Sequence, residues 1–128
     1  MMPCHAARRQ PVGEFGRALD MRLAERILAP AERASYASSR DPARFLAKSF
    51  AAKEAFAKAA GTGLRAPVTL HNIAVLRDPL GKPHIECAPD LANWLAARGV
   101  AGHHVSLSDE GDLVLAFVVL EQSSPQQE

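Results

Sequence analysis

The chain has 128 residues, which is long enough for one ordinary domain and too short for two. Hydrophobic residues make up 48% and charged residues 23%, a composition typical of globular rather than disordered proteins. No long apolar run predicts a membrane span, and the opening "MMPCHAARRQ" lacks the apolar stretch of a secretory signal. Cys4 and Cys87 are too few for a disulfide framework, so we expect a cytoplasmic protein.

The net charge of +1 hides an asymmetry along the chain. Residues 1–65 hold twelve basic and six acidic residues, a balance of +6, whereas the remainder holds three basic and eight acidic residues, a balance of −5. Such segregation can draw an anionic ligand to one region, or the two halves can interleave their solvated faces on folding. We expect no nucleic-acid partner, because no pattern of aromatic and basic residues accompanies the charge.

The first half of the chain predicts helices. From about residue 15 to residue 37, apolar residues recur at helical spacing, with a break at Pro30. The segment "SSRDPAR" is then a turn that starts a helix, since Asp41 can cap it and Pro42 suits the first helical position. This central helix is expected to end at the glycine turn 61–63, because glycine suits the left-handed position after a helix.

The second half predicts strands. "VTLHNIAVLRD" is rich in β-branched residues and predicts a strand, "DPLGKP" a turn, and "HIEC" a short returning strand. "PDLANWLAARG" predicts an amphipathic helix, and "HHVSLS" with "LVLAFVVLE" predicts a second hairpin around "DEGD". The order of these elements indicates a single α+β domain over residues 1–121, with helices packed on a small, mainly antiparallel sheet. Residues 122–128, "QSSPQQE", are expected to form a disordered tail.

The central helix, "FLAKSFAAKEAFAKAA", combines an apolar surface with charges at its centre. On a helical wheel its large apolar side chains fall within about 140° of one another, and Lys53 lies inside that arc. Glu54 lies at the edge of the arc, with Lys58 one turn further on. Apart from these charges the helix is apolar nearly all round. This pattern predicts burial, and a buried carboxylate needs a lysine or a metal ion as its partner.

Two interpretations of these charges are open from the residues alone. In the first, Glu54 and Lys58 form an ion pair at the surface, worth only a few tenths of a kcal/mol, roughly, and Lys53 reaches water along its apolar stem. In the second, the charges belong to a binding site. The turn "GTG" is not a phosphate loop, because no Gly-Lys-Ser/Thr follows it.

The amino-acid sequence of the central helix resembles a family signature. "FAAKEAFAKAAGTG" closely resembles the signature of holo-acyl-carrier-protein synthase, the bacterial 4′-phosphopantetheinyl transferase family. "ERILAPAE" is similar to the segment before that signature, "LHNIAVLRDPLGKPHI" resembles the family's strand–turn–strand, and "HHVSLSDEGDLVLAFVVLE" its closing hairpin. The match covers about residues 17–121. It implies the α+β fold of the 4′-phosphopantetheinyl transferases.

The resemblance also implies an activity. Family members move 4′-phosphopantetheine from coenzyme A to a serine of apo acyl carrier protein, releasing adenosine 3′,5′-bisphosphate, in support of fatty acid biosynthesis. The implied cofactor is Mg²⁺, the partner is an acidic acyl carrier protein, and the assembly is a homotrimer with sites between subunits. The alternative is a non-catalytic member that folds and binds coenzyme A or a carrier protein without transferring anything.

A residue-by-residue match implies where the site lies. Glu54 is the implied Mg²⁺ ligand and, with Lys58 near the transferred phosphate, a catalytic residue. Gly61 lets the backbone approach the cofactor. In "HVSLS", His104 and Ser106 match positions at the family's coenzyme-A site. The alternative is that they are ordinary alternating residues of a strand, with Val105 and Leu107 pointing to the core. The implied contacts with coenzyme A are Arg44, Lys48, Lys58, Gly61, His104 and Ser106.

Two departures from the family pattern affect these roles. The family often has arginine where Ser49 stands here. It also opens with a strand ending in Gly-Thr-Asp, whose aspartate is the second metal ligand. The first aspartate of this sequence is Asp20, inside a predicted helix, and nothing in the context of Glu14 supports it as a substitute. We therefore expect the opening strand to be missing and the edge of the sheet to be uncovered.

We predict that the 128-residue chain binds Mg²⁺–coenzyme A weakly and transfers slowly, since a lone carboxylate leaves the ion more dependent on water ligands. The DNA upstream of Met1 is expected to encode, in frame, a short apolar stretch ending in Gly-Thr-Asp. Restoring it should raise the transfer rate by orders of magnitude, measured by weighing the carrier protein. A stop codon directly upstream, or full activity from the 128 residues, contradicts the prediction.

Overall fold

Five helices and five strands make up the residues that the structure, a computed structural model, describes: 4–18 and 20–123. Single 3₁₀ turns lie at Pro30–Glu32 and Leu70–Asn72. In chain order the elements are β1 (His5–Pro11), α1 (Val12–Ala18), α2 (Met21–Ile27), α3 (Arg33–Ala37), α4 (Pro42–Ala60), β2 (Ile73–Arg77), β3 (Pro83–Cys87), α5 (Pro89–Ala97), β4 (Val100–Glu110) and β5 (Leu113–Gln122).

The central helix α4 has the ends that its sequence predicts. The side chain of Asp41 accepts a hydrogen bond from the backbone N–H of Arg44 at 3.1 Å, and Pro42 occupies the first turn. At the other end Gly61 adopts a φ of 82°, and its N–H donates back to carbonyls of the last turn. Local capping chemistry therefore fixes both ends of this 19-residue helix.

The strands form two antiparallel sheets instead of the single sheet that was predicted. One sheet has the order β1-β5-β4, and β2 pairs with β3 in the other. In the larger sheet Phe117 of β5 lies between Ala7 of β1 and Ser106 of β4. The predicted antiparallel pairing is confirmed for the two hairpins, β2–β3 and β4–β5.

The expectation of an uncovered sheet edge is wrong, because β1 pairs with β5 along its whole length. The sequence lacks Gly-Thr-Asp, but this segment still forms an opening strand. Its inward side chains are Ala6, Arg8 and Gln10, which are not large and apolar, so its period-2 pattern could not be recognised. Pairing with a long strand of the sheet determines its structure more than its own composition does.

The core lies between α4 and the inner face of the larger sheet. The predicted burial of α4 is confirmed, since eleven of its nineteen residues are buried. Small alanine side chains let the neighbouring elements approach this helix closely. Among the helices of the described residues, none is both long and apolar enough to cross a membrane. The inner face of β5 that packs into the core consists of Val114, Ala116, Val118 and Leu120.

Several boundaries differ from the predicted ones, among them the start of β4, which lies at Val100 instead of His103. The helical stretch before Pro30 is two helices, and Asp20 caps the second one, accepting from the N–H of Leu23 at 2.8 Å, instead of lying within a helix. The strand predicted from residue 68 begins at Ile73. In the predicted tail, Gln122 ends β5, and residues 124–128 lie outside the described part of the chain.

Candidate functional site

Glu54 and Lys58 form a charged stripe on the last turns of α4. Glu54 is half-buried and Lys58 is exposed, and the two residues lie one turn apart on the same face. Gly61, also exposed, follows directly at the end of the helix. Within the described residues neither side chain takes part in an ion pair. The interpretation of these charges as a surface pair is therefore wrong, and both remain available to a ligand.

Arg44 and Lys48 form a second cluster nearer the start of α4, around the carboxylate of Asp109. Arg44 Nη1 lies 2.7 Å from Asp109 Oδ1, and Nη2 donates to the carbonyl of Gly111 at 2.9 Å. Lys48 Nζ lies 3.0 Å from Asp109 Oδ2. Both predicted cofactor-binding cations thus share one acidic partner at the β4–β5 turn. Sequence reasoning missed Asp109, whose only signal was its place in the turn "DEGD".

The contacts of Asp109 alter the ionisation of both sides of this cluster. Burial by itself raises the pKa of Asp109, but hydrogen bonds from Lys48 and Arg44, together with their charges, bring it below its ordinary value of 3.8. The hydrogen bond to Asp109 likewise raises the pKa of Arg44. Asp109 is therefore a carboxylate at neutral pH, and it holds the two cations side by side.

His104 and Ser106 lie on the opposite face of the sheet from α4. Both are exposed on β4, while the alternating residues Val105 and Leu107 are half-buried against the core. His104 Nε2 lies 3.2 Å from a carboxylate oxygen of Glu121. A single chain therefore does not bring these two residues to the stripe on α4. The stripe and the Arg44 cluster are also separate, since Lys48 and Lys58 are about 15 Å apart along the helix axis.

A buried ion pair lies behind the stripe, and sequence reasoning missed its acidic member. Lys53 Nζ donates to Glu32 Oε1 and to the carbonyl of Ile27, both at 2.5 Å, and both charged side chains are 0% exposed. The other oxygen of Glu32 accepts from Ser49 Oγ at 2.7 Å. Burial lowers the pKa of Lys53, and the charge of Glu32 offsets part of this effect. The interpretation in which Lys53 reaches water is wrong.

A groove of about 360 Å³ lies between β1, α1, α2 and α4. Phe50 is the residue of α4 that lines it, one helical turn before Glu54 and on the same face of the helix. The guanidinium of Arg8 lies 5.6 Å from the centre of the Phe50 ring, and Arg26 lines the groove from α2. The groove is therefore mainly apolar, and its charged lining consists of two arginines, Arg8 and Arg26, and one carboxylate, Glu14.

The donor set at the stripe fits a magnesium ion held in part by its substrate. Within residues 4–18 and 20–123, no three His, Cys, Asp or Glu side chains come together as a preformed metal site. Mg²⁺ is often bound through one or two carboxylates together with substrate phosphates and water, so a preformed cage is not required. Glu54 is the carboxylate that could hold such an ion, and the ammonium of Lys58 lies one turn further along the same face.

Comparison with known families shows which family contains this helix. The family model of the 4′-phosphopantetheinyl transferase superfamily matches residues 6–118. The chain belongs to this superfamily. The matched region contains the stripe, the Arg44 cluster, the buried ion pair and all the residues that line the groove.

Named relatives in this superfamily are similar to the chain over most of their length. The holo-[acyl-carrier-protein] synthase of Thiobacillus denitrificans is 73% identical over 105 residues, covering 82% of this chain and 80% of the relative. That of Laribacter hongkongensis is 63% identical over 100 residues, covering 78% and 80%.

Solved structures of the superfamily confirm the predicted fold. The holo-[acyl-carrier-protein] synthase of Neisseria meningitidis superimposes with a TM-score of 0.90 at 41% identity, covering 95% of this chain and all of that one. The Bacillus anthracis synthase, solved in complex with coenzyme A (3′,5′-ADP), has a TM-score of 0.78 at 30% identity, covering 97% and 99%. The predicted α+β phosphopantetheinyl transferase fold is therefore correct.

The Asp109 cluster generates a prediction about pH. Because its pKa is lowered on folding, Asp109 contributes stability that is fully present above pH 3.8 and lost as the pH falls through the lowered value. We expect Asp109→Asn to lower the free energy of unfolding by about 1 kcal/mol or less at pH 7, since the cluster is partly exposed. The difference from the wild type should shrink at acid pH, as followed by thermal unfolding.

The matched control for this prediction is Glu110→Gln, which changes the neighbouring exposed carboxylate. Its effect should be small at both pH values. A difference between Asp109→Asn and the wild type that is equally large at neutral and acid pH contradicts the assignment.

Proposed function

We propose that the chain transfers 4′-phosphopantetheine from coenzyme A to a serine of apo acyl carrier protein. The observation that carries this proposal is the stripe of Glu54 and Lys58, which has no ion-pair partner among the described residues and begins one helical turn beyond Phe50 of the groove. Relatives named as holo-[acyl-carrier-protein] synthase support it. The non-catalytic alternative is less well supported, because the chain keeps both an available carboxylate and an available lysine.

Glu54 and Lys58 have different proposed roles at the diphosphate of coenzyme A. Glu54 would hold Mg²⁺, which when bound neutralises charge on the phosphates. Lys58 places an ammonium beside the phosphate to be transferred and stabilises the negative charge that develops on its oxygens. Gly61, without a side chain and with a φ of 82°, leaves room for the cofactor at the helix end. Arg44 and Lys48 are proposed to hold a further phosphate, in competition with Asp109.

The groove is proposed to receive the carrier protein. Its apolar lining suits a hydrophobic side chain of a partner helix, and Arg8 and Arg26 suit acidic residues around it. A carrier bound there would present its serine next to Glu54, because Phe50 and Glu54 lie on one face of α4. In this arrangement the protein contributes mainly positioning and charge to the reaction.

We propose further that the chain forms a homotrimer with sites between subunits. The outer face of the larger sheet exposes Leu115 (39%) and Phe117 (44%), two large apolar residues that another copy could cover. His104 and Ser106 share this face, so contact between subunits could bring them to the α4 of a neighbour. A cytoplasmic location and a role in fatty acid biosynthesis belong to the same proposal.

The direct test is to incubate the protein with coenzyme A, Mg²⁺ and apo acyl carrier protein and then to weigh the carrier. We expect a gain of one phosphopantetheine group. Glu54→Gln should abolish metal-dependent transfer, with a loss of at least about a hundredfold, because the amide keeps the shape and loses the anionic oxygen. The variant should unfold at nearly the wild-type temperature. Transfer by Glu54→Gln at the wild-type rate would show that Glu54 is no essential ligand.

A second prediction concerns Lys58, which is exposed and contributes little to the core. Lys58→Ala should reduce kcat on the order of a hundredfold, the size of effect typical of losing one group that stabilises charge in the transition state. Lys58→Arg should restore activity only in part, because a planar guanidinium does not reproduce a compact ammonium. Lys82→Ala is the control, because Lys82 is an exposed lysine in the turn between β2 and β3 and is not part of the stripe. Full activity of Lys58→Ala contradicts the assigned role.

A further inference from the structure

A stable core does not require the buried ion pair of Lys53 and Glu32. Both side chains are 0% exposed, and their charges, together with Ser49, occupy space that apolar residues could fill. Taking two charges out of water is costly, and apolar replacements of a buried ion pair are often equally stable or more so. Stability alone therefore does not account for this arrangement.

The network joins α2 and α4, two of the elements that line the groove. From α4, Lys53 donates to Glu32 and to the carbonyl of Ile27, the last residue of α2. From the same helix Ser49 donates to the second oxygen of Glu32. Glu32 itself accepts from the backbone N–H of Ala29 at 2.8 Å, which fixes the chain just after α2. Three hydrogen bonds from α4 and one within the segment after α2 thereby tie the end of α2 to α4.

Three residues of the network, Ser49, Lys53 and Ile27, are adjacent in sequence to residues of the proposed site. Ser49 precedes Phe50, the groove residue of α4, and Lys53 precedes Glu54, the proposed metal ligand. On the other helix Ile27 lines the groove itself and follows Arg26. A rotation or shift of α4 against α2 would therefore change the width of the groove and the direction of Glu54 together.

We propose that Lys53, Glu32 and Ser49 form a positioning lock, which holds α2 and α4 at the separation that the carrier protein needs in the groove and directs Glu54 to its end. The proposal rests on the proposed function for its catalytic consequence. None of the three residues touches a substrate in this account; they act through Phe50 and Glu54. Their loss should therefore change kinetic constants separately from stability.

The test compares Lys53→Met with the double variant Glu32→Gln/Lys53→Met. The single variant leaves a buried carboxylate without its cation and should melt at a much lower temperature. The double variant removes both charges and should recover most of the melting temperature. Because methionine cannot donate to the Ile27 carbonyl, kcat/KM for apo carrier protein should stay on the order of a hundredfold low. The KM for the carrier should rise more than the KM for coenzyme A.

Ile85→Ala is the matched control, since Ile85 is buried in the other sheet and lines neither the groove nor the stripe. It should lower the melting temperature and leave both KM values unchanged when assayed where the protein is folded. If the double variant regains both its melting temperature and its kcat/KM, the lock is only structural and the proposal is wrong.

A second readout separates this proposal from the proposed function. Amide hydrogen exchange in α2 (Met21–Ile27) should be faster in the double variant than in the wild type, while exchange in α5 stays the same. This holds whether or not the wild type transfers phosphopantetheine, and unchanged exchange in α2 overturns the lock. If the double variant does not fold, Ser49→Ala decides, because it keeps the ion pair. We expect about a fivefold rise in KM for the carrier, and an unchanged KM overturns the proposal.

Discussion

The burial of α4 is the constraint on which the rest of the structure depends. A helix packed on nearly every side can keep a charged group only if that group is paired inside or lies on the narrow exposed strip. Lys53 takes the first solution, with Glu32 as its partner, and Glu54 and Lys58 take the second. The charges of this apolar helix thus fall into a set that is paired in the core and a set that is proposed to bind a ligand.

The same helix organises the surroundings of the site. Its phenylalanine at position 50 forms one wall of the groove, its first turns carry the cations that Asp109 holds, and its end opens at Gly61. Because all three features sit on one rigid element, their spacing is set by helical geometry rather than by loops. The outer face of the sheet, with His104, is the part of the proposed site that α4 of the same chain does not reach.

What the sequence could predict depended on how local each interaction was. The ends of α4 follow from Asp41 and Gly61, and the stripe follows from helical spacing, so both could be predicted. Glu32 and Asp109 could not, since their partners lie 21 and 65 residues away along the chain. The strand β1 was missed because Arg8 and its inward neighbours are not large and apolar, and it gains its structure from pairing with β5.

The most direct measurement is a crystal structure of the protein with coenzyme A and Mg²⁺. We expect the ion about 2.1 Å from a carboxylate oxygen of Glu54 and bound to the diphosphate. We also expect a phosphate oxygen within about 3 Å of Lys58 Nζ. A diphosphate bound elsewhere, with Glu54 touching neither the ion nor a water molecule bound to it, would contradict the proposed role of Glu54.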